Sequence, residues 1–485
     1  MSRIAYLAVV AAVFALLGTG AAASVRGTSH DAPALTHGVV VGDVTADSAV
    51  LWARADREGT AKVHLSGGKH RGSARLEFRA ADDYTAQAVL DDLKPDKLYR
   101  YHVGREHGSF RTAPAADDAE AVRVVFGGDV AGQNVCRDTR EGFPIMETIR
   151  ARRPDVFVGL GDMIYADNGC NPLGLYGNAQ VEGPGPAADL ATFWAHWRYN
   201  RADSASQRLL RSTSYVGVWD DHEVVNDFGP LNDTRSTPSP PYTAGVHLLP
   251  IGLEAFLDYT PIAIAPNTPK RLYRSLRWGK HVELFVLDTR QYRDANIADD
   301  SAERPKTMLG REQLTWLKES LAASDATWKV IVSSVPMSIP TGFPVSGGRD
   351  GWANYTEPSG FEQELLDILR FMEQRRIVNS LWITTDVHFA EAFRYRPFPA
   401  NPAFVVHELA SGPLNAGIFP TAAFDTTLNP TVLFGPRPPA TVATWEQAKD
   451  GFNFGTVDVD RRGRLTAGFV NTAGQRLFSL TLTPQ

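Results

Sequence analysis

The chain contains few of the residues that define several protein classes. Only two cysteines, Cys136 and Cys170, occur in 485 residues, so disulfides cannot form the framework of a chain this long. A disulfide between them, a pair of free thiols and a metal-ligating thiolate all stay open. The 49 basic residues are outnumbered by 55 acidic ones, and this net charge of −6 indicates no nucleic-acid surface. With 43% hydrophobic and 21% charged residues, the composition is that of a globular protein and excludes extensive disorder.

Long hydrophobic runs are also missing. The N-terminal apolar run covers residues 4–17, which is shorter than the roughly 20 residues of a membrane span. It follows a single arginine and leads to three alanines at positions 21–23, so residues 1–23 are predicted to be a signal peptide. The mature protein is then expected to be secreted, or periplasmic/extracellular, without a membrane span. A retained anchor helix is the alternative.

Residues 37–114 show short alternating runs separated by turn residues. Stretches such as "GTAKVHLSG" and "LDDLKPDKLYRYHV" predict a small all-β, fibronectin-III-like sandwich, with Trp52 in its core. The ionisable residues of this segment are not clustered in the sequence, so the segment is predicted to carry no chemistry.

Residues 122–485 have a different pattern, in which buried strands alternate with helices. The apolar runs "VRVVFGGDV", "DVFVGLGDMIYADN" and "NSLWITTDVHFAE" contain acids at or just after their ends, and "REQLTWLKESLAAS" has helical spacing. This pattern predicts an α/β fold with nearly parallel strands, whose carboxyl ends gather ligands at one edge of the sheet.

Four of the predicted strands end in carboxylates, which are Asp129, Asp162, Asp220 with Asp221, and Asp386. Several carboxylates in one crevice cannot stay ionised without cations between them, so these strand ends predict a metal site. His222 and His388 lie beside two of the acids, and Tyr165 follows Asp162 by three positions. Oxygen ligands with some imidazole favour iron, manganese, zinc or calcium.

Two further features bear on the chemistry. Arg290 follows another predicted strand, where its guanidinium could clamp a phosphate, although a solvated surface arginine fits the spacing equally well. Glu223 is expected at most to orient His222.

"HEVVN" is one residue away from the H-E-x-x-H motif of zinc peptidases, but Asn226 replaces the second histidine and the preceding residues resemble a strand. A two-metal centre bridged by a carboxylate, in contrast, serves phosphoryl transfer.

The motifs "GGDVAG", "GDMIYADN", "WDDHEVVN", "LDTRQYRD" and "TTDVHF" occur in this order, and together they resemble the alkaline phosphatase D family of metallophosphoesterases. The preceding sandwich is similar to that family's N-terminal domain, so the resemblance covers nearly the whole mature chain. It implies a four-layer α/β/β/α calcineurin-like domain over residues 122–485. It also implies a secreted enzyme that hydrolyses small phosphate mono- and/or diesters with a metal-bound hydroxide. No oligomeric state is predicted.

The resemblance also implies roles for individual residues. Asp162 matches the bridging aspartate, Tyr165 the iron-ligating tyrosine and His222 the catalytic histidine, while Asp221 takes the place of the usual asparagine. The implied metal ligands are Asp129, Asp162, Tyr165, Asp221, Asp386 and His388. Further ligands, or residues that support ligands, are expected at Asp220, Asn226 and Asp288.

The family's metals, Fe3+ with Ca2+, are the expected cofactors. Asp129 stands where the best-known members carry a cysteine, so Zn2+ and Mn2+ remain alternatives. The family's usual twin-arginine export signal is also missing.

Other functions remain alternatives. A purple-acid-phosphatase-like monoesterase needs the patterns G-N-H-E, V-x-x-H and G-H-x-H, and this chain has "DDHE", "VSSV" and "TDVH" in their places. A phospholipase D-type phosphodiesterase and a non-catalytic binding protein are the other two. The segments 229–250 and 342–355 are expected to shape substrate choice.

Overall fold

The structure is a computed structural model that describes residues 32–67, 70–230, 245–265, 267–296, 298–342, 349–354, 358–420, 423–435 and 442–485. The predicted signal peptide, residues 1–23, lies outside the described residues. The unit Pro33–Gln485 is compact. Of the helices in the described part of the chain, none combines the length and the apolar character that a membrane span requires.

Strands outnumber helices among the described residues. The strands are β1 (Leu35–Gly42), β2 (Ala49–Ala55), β3 (Gly59–Gly67), β4 (His70–Phe78), β5 (Thr85–Leu90), β6 (Leu98–Val103), β7 (Glu106–Arg111), β8 (Val122–Gly127), β9 (Val156–Leu160), β10 (Ser214–Val218), β11 (Arg274–Trp278), β12 (Val282–Val286), β13 (Trp328–Val332), β14 (Ser380–Thr384), β15 (Glu391–Tyr395), β16 (Val406–Ala410), β17 (Pro430–Phe434), β18 (Asn453–Val459), β19 (Leu465–Asn471) and β20 (Arg476–Leu482). The helices are α1 (Ile145–Ala151), α2 (Leu190–Arg201), α3 (Ser204–Leu210), α4 (Gly245–Tyr259), α5 (Gly310–Ala323), α6 (Glu362–Gln374) and α7 (Trp445–Gly451).

The strands of the described segments form three sheets. The largest has the order β20-β19-β18-β8-β9-β10-β1-β2-β5, the second β11-β12-β13-β14-β16-β15-β17, and the third β4-β3-β6-β7. The first sheet joins both parts of the chain, because β1 pairs in parallel with β10 through Val41 and Ser214. The N-terminal strands therefore cover what would otherwise be an exposed edge at β10.

The central strands are apolar along their whole length because both of their faces are buried. Val124 and Val158 belong to a core that also contains Leu284 of the seven-stranded sheet. Phe157, which directly precedes Val158 on β9, belongs to a second core, together with Trp197 of α2. A third core contains side chains from the seven-stranded sheet and from α5 and α6. Successive side chains of a strand thus enter different cores, as the two-residue period of a strand requires.

Parallel pairing decides where the chemistry is placed. β8 pairs in parallel with β9, and β9 with β10, while β12, β13 and β14 are parallel neighbours in the second sheet. Since parallel strands end at the same edge, the residues that follow β8, β9 and β10 are brought together.

Cys136 and Cys170 form a disulfide in this structure. It connects the segment after β8 to the segment after β9, and both cysteines are buried. The bond decides among the three alternatives that the sequence left open, since neither sulfur is a free thiol or a metal ligand here.

Replacing both cysteines, Cys136→Ser with Cys170→Ser, should lower the free energy of unfolding by about 2–4 kcal/mol, because the bond closes a loop with a sequence separation of 34 residues. Urea denaturation of both proteins measures the change. A reducing agent should destabilise the wild type by a similar amount and leave the double variant unaffected. Equal stability of wild type and variant would contradict the prediction.

Candidate metal centre

The strand-end carboxylates predicted from the sequence do meet at one edge. Asp129 follows the end of β8 by two residues, and Asp162, Asp220 and Asp386 follow β9, β10 and β14 in the same way. The first three of these are almost completely buried, as is Asp221, and Asp386 is partly buried. Strands from both large sheets therefore supply the carboxylates.

Asp162 belongs to three groups of side chains that could hold a metal ion. Within each group, the ligand atoms lie within 4.8 Å of one another. The groups are Asp129, Asp162 and His388; Asp162, Asp220, Asp221 and Asp386; and Asp162, Asp221 and His222. Two of these groups also share Asp221, whereas the group with Asp129 and His388 has only Asp162 in common with them. A carboxylate that belongs to two such sets of ligand atoms is the arrangement expected of a bridging ligand between two cations.

The backbone is strained where these side chains leave the strands. Asp129, Asp162, Asp386 and His388 have φ values of 64°, 51°, 78° and 60°. A non-glycine residue in this left-handed region costs of order 1–3 kcal/mol and persists only where its surroundings hold it. The centre therefore depends on contacts that fix these turns.

Glu223 supplies such contacts. Its carboxylate accepts hydrogen bonds from the backbone N–H groups of Asp162 (3.0 Å), Met163 (2.7 Å) and Asp220 (2.8 Å). Burial raises the pKa of Glu223 to about 8, although these three donors oppose the shift. The expectation that Glu223 orients His222 is wrong, because its oxygens are directed at the ends of β9 and β10.

His222 is oriented by Asp167. Its Nδ1 lies 2.7 Å from Asp167 Oδ1, and its ring stacks on that of Tyr165 at 4.0 Å between centroids. The backbone N–H of His222 donates to Asp162 Oδ1 at 3.1 Å. Sequence reasoning missed Asp167 although it lies in the quoted motif "GDMIYADN", and its only signal was an acid five positions after Asp162.

His388 presents one nitrogen to the site. Its Nδ1 bonds to the carbonyl oxygen of Gly417, which fixes Nδ1 as the protonated nitrogen. Its Nε2 lies 3.3 Å from Asp129 Oδ1 and 2.9 Å from the hydroxyl of Tyr165. Burial lowers the pKa of His388, so a neutral ring with an unprotonated Nε2 is favoured, as a metal ligand requires.

The residues present fit a metal centre. Four carboxylate oxygens are buried without a hydrogen-bond partner among the described residues: Asp162 Oδ2, Asp220 Oδ2, Asp221 Oδ1 and Asp386 Oδ2. Burial and neighbouring carboxylates raise the pKa values of Asp162 and Asp386 well above the ordinary range. Buried acceptors without partners are costly, and a cation would satisfy all four.

Arg290 is placed differently from the prediction of a phosphate clamp. Its Nε donates to Asp220 Oδ1 at 2.6 Å, and its two terminal nitrogens donate to both oxygens of Asp350 at 2.7 and 2.8 Å. The guanidinium is fully buried. Burial alone would lower its pKa, but Asp220 and Asp350 hold it well above the ordinary value. Arg290 therefore orients Asp220 through its Nε. Because both of its terminal nitrogens are bonded to Asp350, they are not available to bind a phosphate in this structure.

The remaining predicted residues support their neighbours. Asp288 accepts hydrogen bonds from the indole of Trp219 (2.9 Å) and from the backbone and side chain of Gln291, so its oxygens are satisfied without a metal. Asn226 donates its backbone N–H to Asp167 Oδ2 at 3.0 Å. It therefore helps to fix the residue that orients His222.

The solvent side of the centre carries an aromatic ring. Phe419 stacks on His388 at 4.2 Å between centroids and is 41% exposed. The parts of the predicted specificity segments at 231–244, 343–348 and 355 lie outside the described residues.

Comparisons with known proteins point to one family. The PhoD-like phosphatase family matches residues 125–467, and the PhoD-like phosphatase N-terminal domain matches residues 20–114. Alkaline phosphatase D of Bacillus subtilis (strain 168) is 24% identical over 394 residues, which cover 73% of this chain and 64% of that protein. The chain thus spans slightly less than two thirds of this relative's length.

Two solved structures share the fold. A structure of PhoD superposes with a TM-score of 0.72 at 19% identity and covers 94% of both chains. Purple acid phosphatase PPD1 from yellow lupin (Lupinus luteus) seeds superposes with a TM-score of 0.60 at 13% identity, over 93% of this chain and 74% of its own. Such a mixed α/β fold fits that of a metallophosphoesterase.

Replacing Glu223 by glutamine should lower the free energy of unfolding by about 1–3 kcal/mol. An amide has one acceptor oxygen in place of two, so at least one of the three buried N–H donors loses its partner. Thermal and urea denaturation measure the change. Glu319→Gln, an exposed acid on α5, is the control and should change stability by no more than about 0.5 kcal/mol. A Glu223→Gln protein as stable as this control would contradict the assigned role.

Proposed function

The chain belongs to the PhoD-like phosphatase family, and on that premise we propose that it is a metal-dependent phosphoric ester hydrolase of the alkaline phosphatase D type. Its substrate is a small phosphate mono- or diester. The observation that carries this proposal is the set of four buried carboxylate oxygens at adjoining strand ends that have no hydrogen-bond partner within the described part of the chain. Buried carboxylates with raised pKa values cluster at functional sites, where a ligand or a cation offsets their cost.

The ligand sets divide at Asp162. Asp129, Tyr165 and His388 lie on one side of it, and Asp221 and Asp386 lie on the other, with Asp220 beside them. We expect two or more ions, Fe3+ with Ca2+, and Zn2+ or Mn2+ as alternatives because residue 129 is an aspartate. Such ions would bind the phosphoryl oxygens, lower the pKa of a water molecule and offset the charge that develops during hydrolysis.

The chain's own groups complete the chemistry. His222 is the proton donor to the departing oxygen, with its imidazole held by Asp167 on one side and stacked on Tyr165 on the other. Arg290 is a positioning residue that balances the charge of Asp220 and Asp350. This role replaces the phosphate clamp that the sequence suggested.

The finer features of the fold are part of the same proposal. Cores on both faces of the two large sheets support four layers, α/β/β/α, in a calcineurin-like domain over residues 122–485. The pairing of β1 with β2 and of β2 with β5, together with the sheet β4-β3-β6-β7, supports a fibronectin-III-like sandwich over residues 37–114. The apolar N-terminus supports a signal peptide and a secreted enzyme.

Substrate preference separates the monoesterase alternative from the diesterase alternative. A purple-acid-phosphatase-like enzyme would hydrolyse monoesters, and a phospholipase D-type enzyme would prefer diesters. A panel of both ester classes, with metals quantified by mass spectrometry on the purified protein, distinguishes them. A non-catalytic binding protein would hydrolyse neither class at a rate that depends on His222.

Asp162→Asn should abolish metal retention and the hydrolysis of an aryl phosphate, because Asp162 belongs to all three groups of ligand atoms described above. With metal present, the variant should also melt at a lower temperature than wild type, since bound ions stabilise the folded state. In a chelator this difference should vanish or reverse, because the substitution removes one of several mutually repelling carboxylates. Unchanged activity would overturn the proposed function.

Asp167→Asn should reduce kcat about 10–100-fold with metal content and KM unchanged. The loss should be larger for an alkyl phosphate than for an aryl phosphate, because a poor leaving group depends more on protonation. His222→Asn is the reference, and the double variant should be no slower than His222→Asn alone. Additive losses, or equal losses for both leaving groups, would show that Asp167 does not act through His222.

A further inference from the structure

Three exposed histidines form a row across the four-stranded sheet. His64 of β3 is the register partner of His102 of β6, and His102 is the register partner of His107 of β7. The rings of His64 and His102 stack with centroids 4.5 Å apart, and those of His102 and His107 lie 6.0 Å apart. All three side chains are exposed to solvent.

The strands that carry these histidines are held firmly. The side chains that flank His64 and His102 along their strands, including Val63 and Tyr101, are buried. The hydroxyl of Tyr101 and the backbone N–H of Ser109 both donate to the carbonyl oxygen of Arg211, at 3.0 and 2.9 Å. The row is therefore presented on a fixed backbone, and its members move mainly by rotation of their own side chains.

The spacing suits a shared ion. Because a metal–imidazole bond is about 2.0–2.1 Å long, two nitrogens on one ion lie no more than about 4 Å apart. Rotation of two exposed rings whose centroids are 4.5 Å apart brings their nitrogens within that limit.

The chemistry of the row selects the kind of ion. The row itself contributes imidazoles and, on the neighbouring strand β4, the hydroxyl of Ser73 opposite His64. Adjacent rows on the same face contain exposed Lys62 and Arg100. Imidazole donors without a carboxylate favour borderline transition metals over Ca2+ or Mg2+, with Cu2+ bound most tightly.

We propose that His64 and His102, with His107 as a third donor, form a surface binding site for a divalent transition metal such as Cu2+, Ni2+ or Zn2+. This site is separate from the strand-end carboxylates and uses none of their residues. Its occupation does not depend on the proposed hydrolase activity.

Copper titration of the metal-loaded protein near pH 7.5, followed by electron paramagnetic resonance, tests the site. Wild type should bind one equivalent of copper with hyperfine structure from nitrogen ligands, and His102→Ala should bind this equivalent at least about tenfold more weakly. Thermal melting verifies that the variant is folded.

Two further variants sharpen the result. Lys62→Ala, on the same face of β3 one row away, is the matched control and should bind copper at least as tightly as wild type. Ser73→His should tighten binding because it adds a fourth imidazole to the row. Identical titrations of wild type and His102→Ala, or copper bound only where His102→Ala also binds it, would overturn the proposal.

Discussion

The oxygens of Asp162 lie close to those of Asp129, Asp220, Asp221 and Asp386 in an interior where charge is poorly screened, and the repulsion among these carboxylates constrains everything around them. Burial and mutual repulsion raise the pKa of Asp162 well above its ordinary value. Protons relieve this repulsion in part, and cations relieve it more completely because they also provide partners for oxygens that lack one.

A second set of residues holds the carboxylates against that repulsion. Glu223 ties together the ends of β9 and β10, and Thr385 donates to Asp129 Oδ2 at 2.7 Å. Arg290 connects Asp220 to Asp350, whose pKa burial alone would raise but the two arginines Arg290 and Arg293 hold below its usual range. The strained left-handed residues are stable because this network of hydrogen bonds over-determines their positions.

The elements that could be predicted from sequence are those whose signal is local. Apolar runs that end in acids indicated the parallel strands, and the order of the motifs indicated the family, which the matches to residues 20–114 and 125–467 confirm. The role of Glu223 could not be read in this way, because its partners Asp162 and Met163 lie about 60 positions earlier in the chain. The position of Arg290 after a strand could be predicted, but Asp350, which accepts hydrogen bonds from its terminal nitrogens, follows 60 residues later.

The N-terminal strands show the same limit. The sequence separates His64 from His102 by 38 positions, so no cluster was expected in this segment, and antiparallel pairing places the two side by side. The sequence alone determined which residues could serve as ligands, and it placed the carboxylates at strand ends, because residue type and hydrophobic period are properties of consecutive positions. Only the tertiary structure decided which carboxylate oxygens lie close together, which acid contacts His222 and which arginine is already paired, because those relations depend on register and sheet order between distant segments.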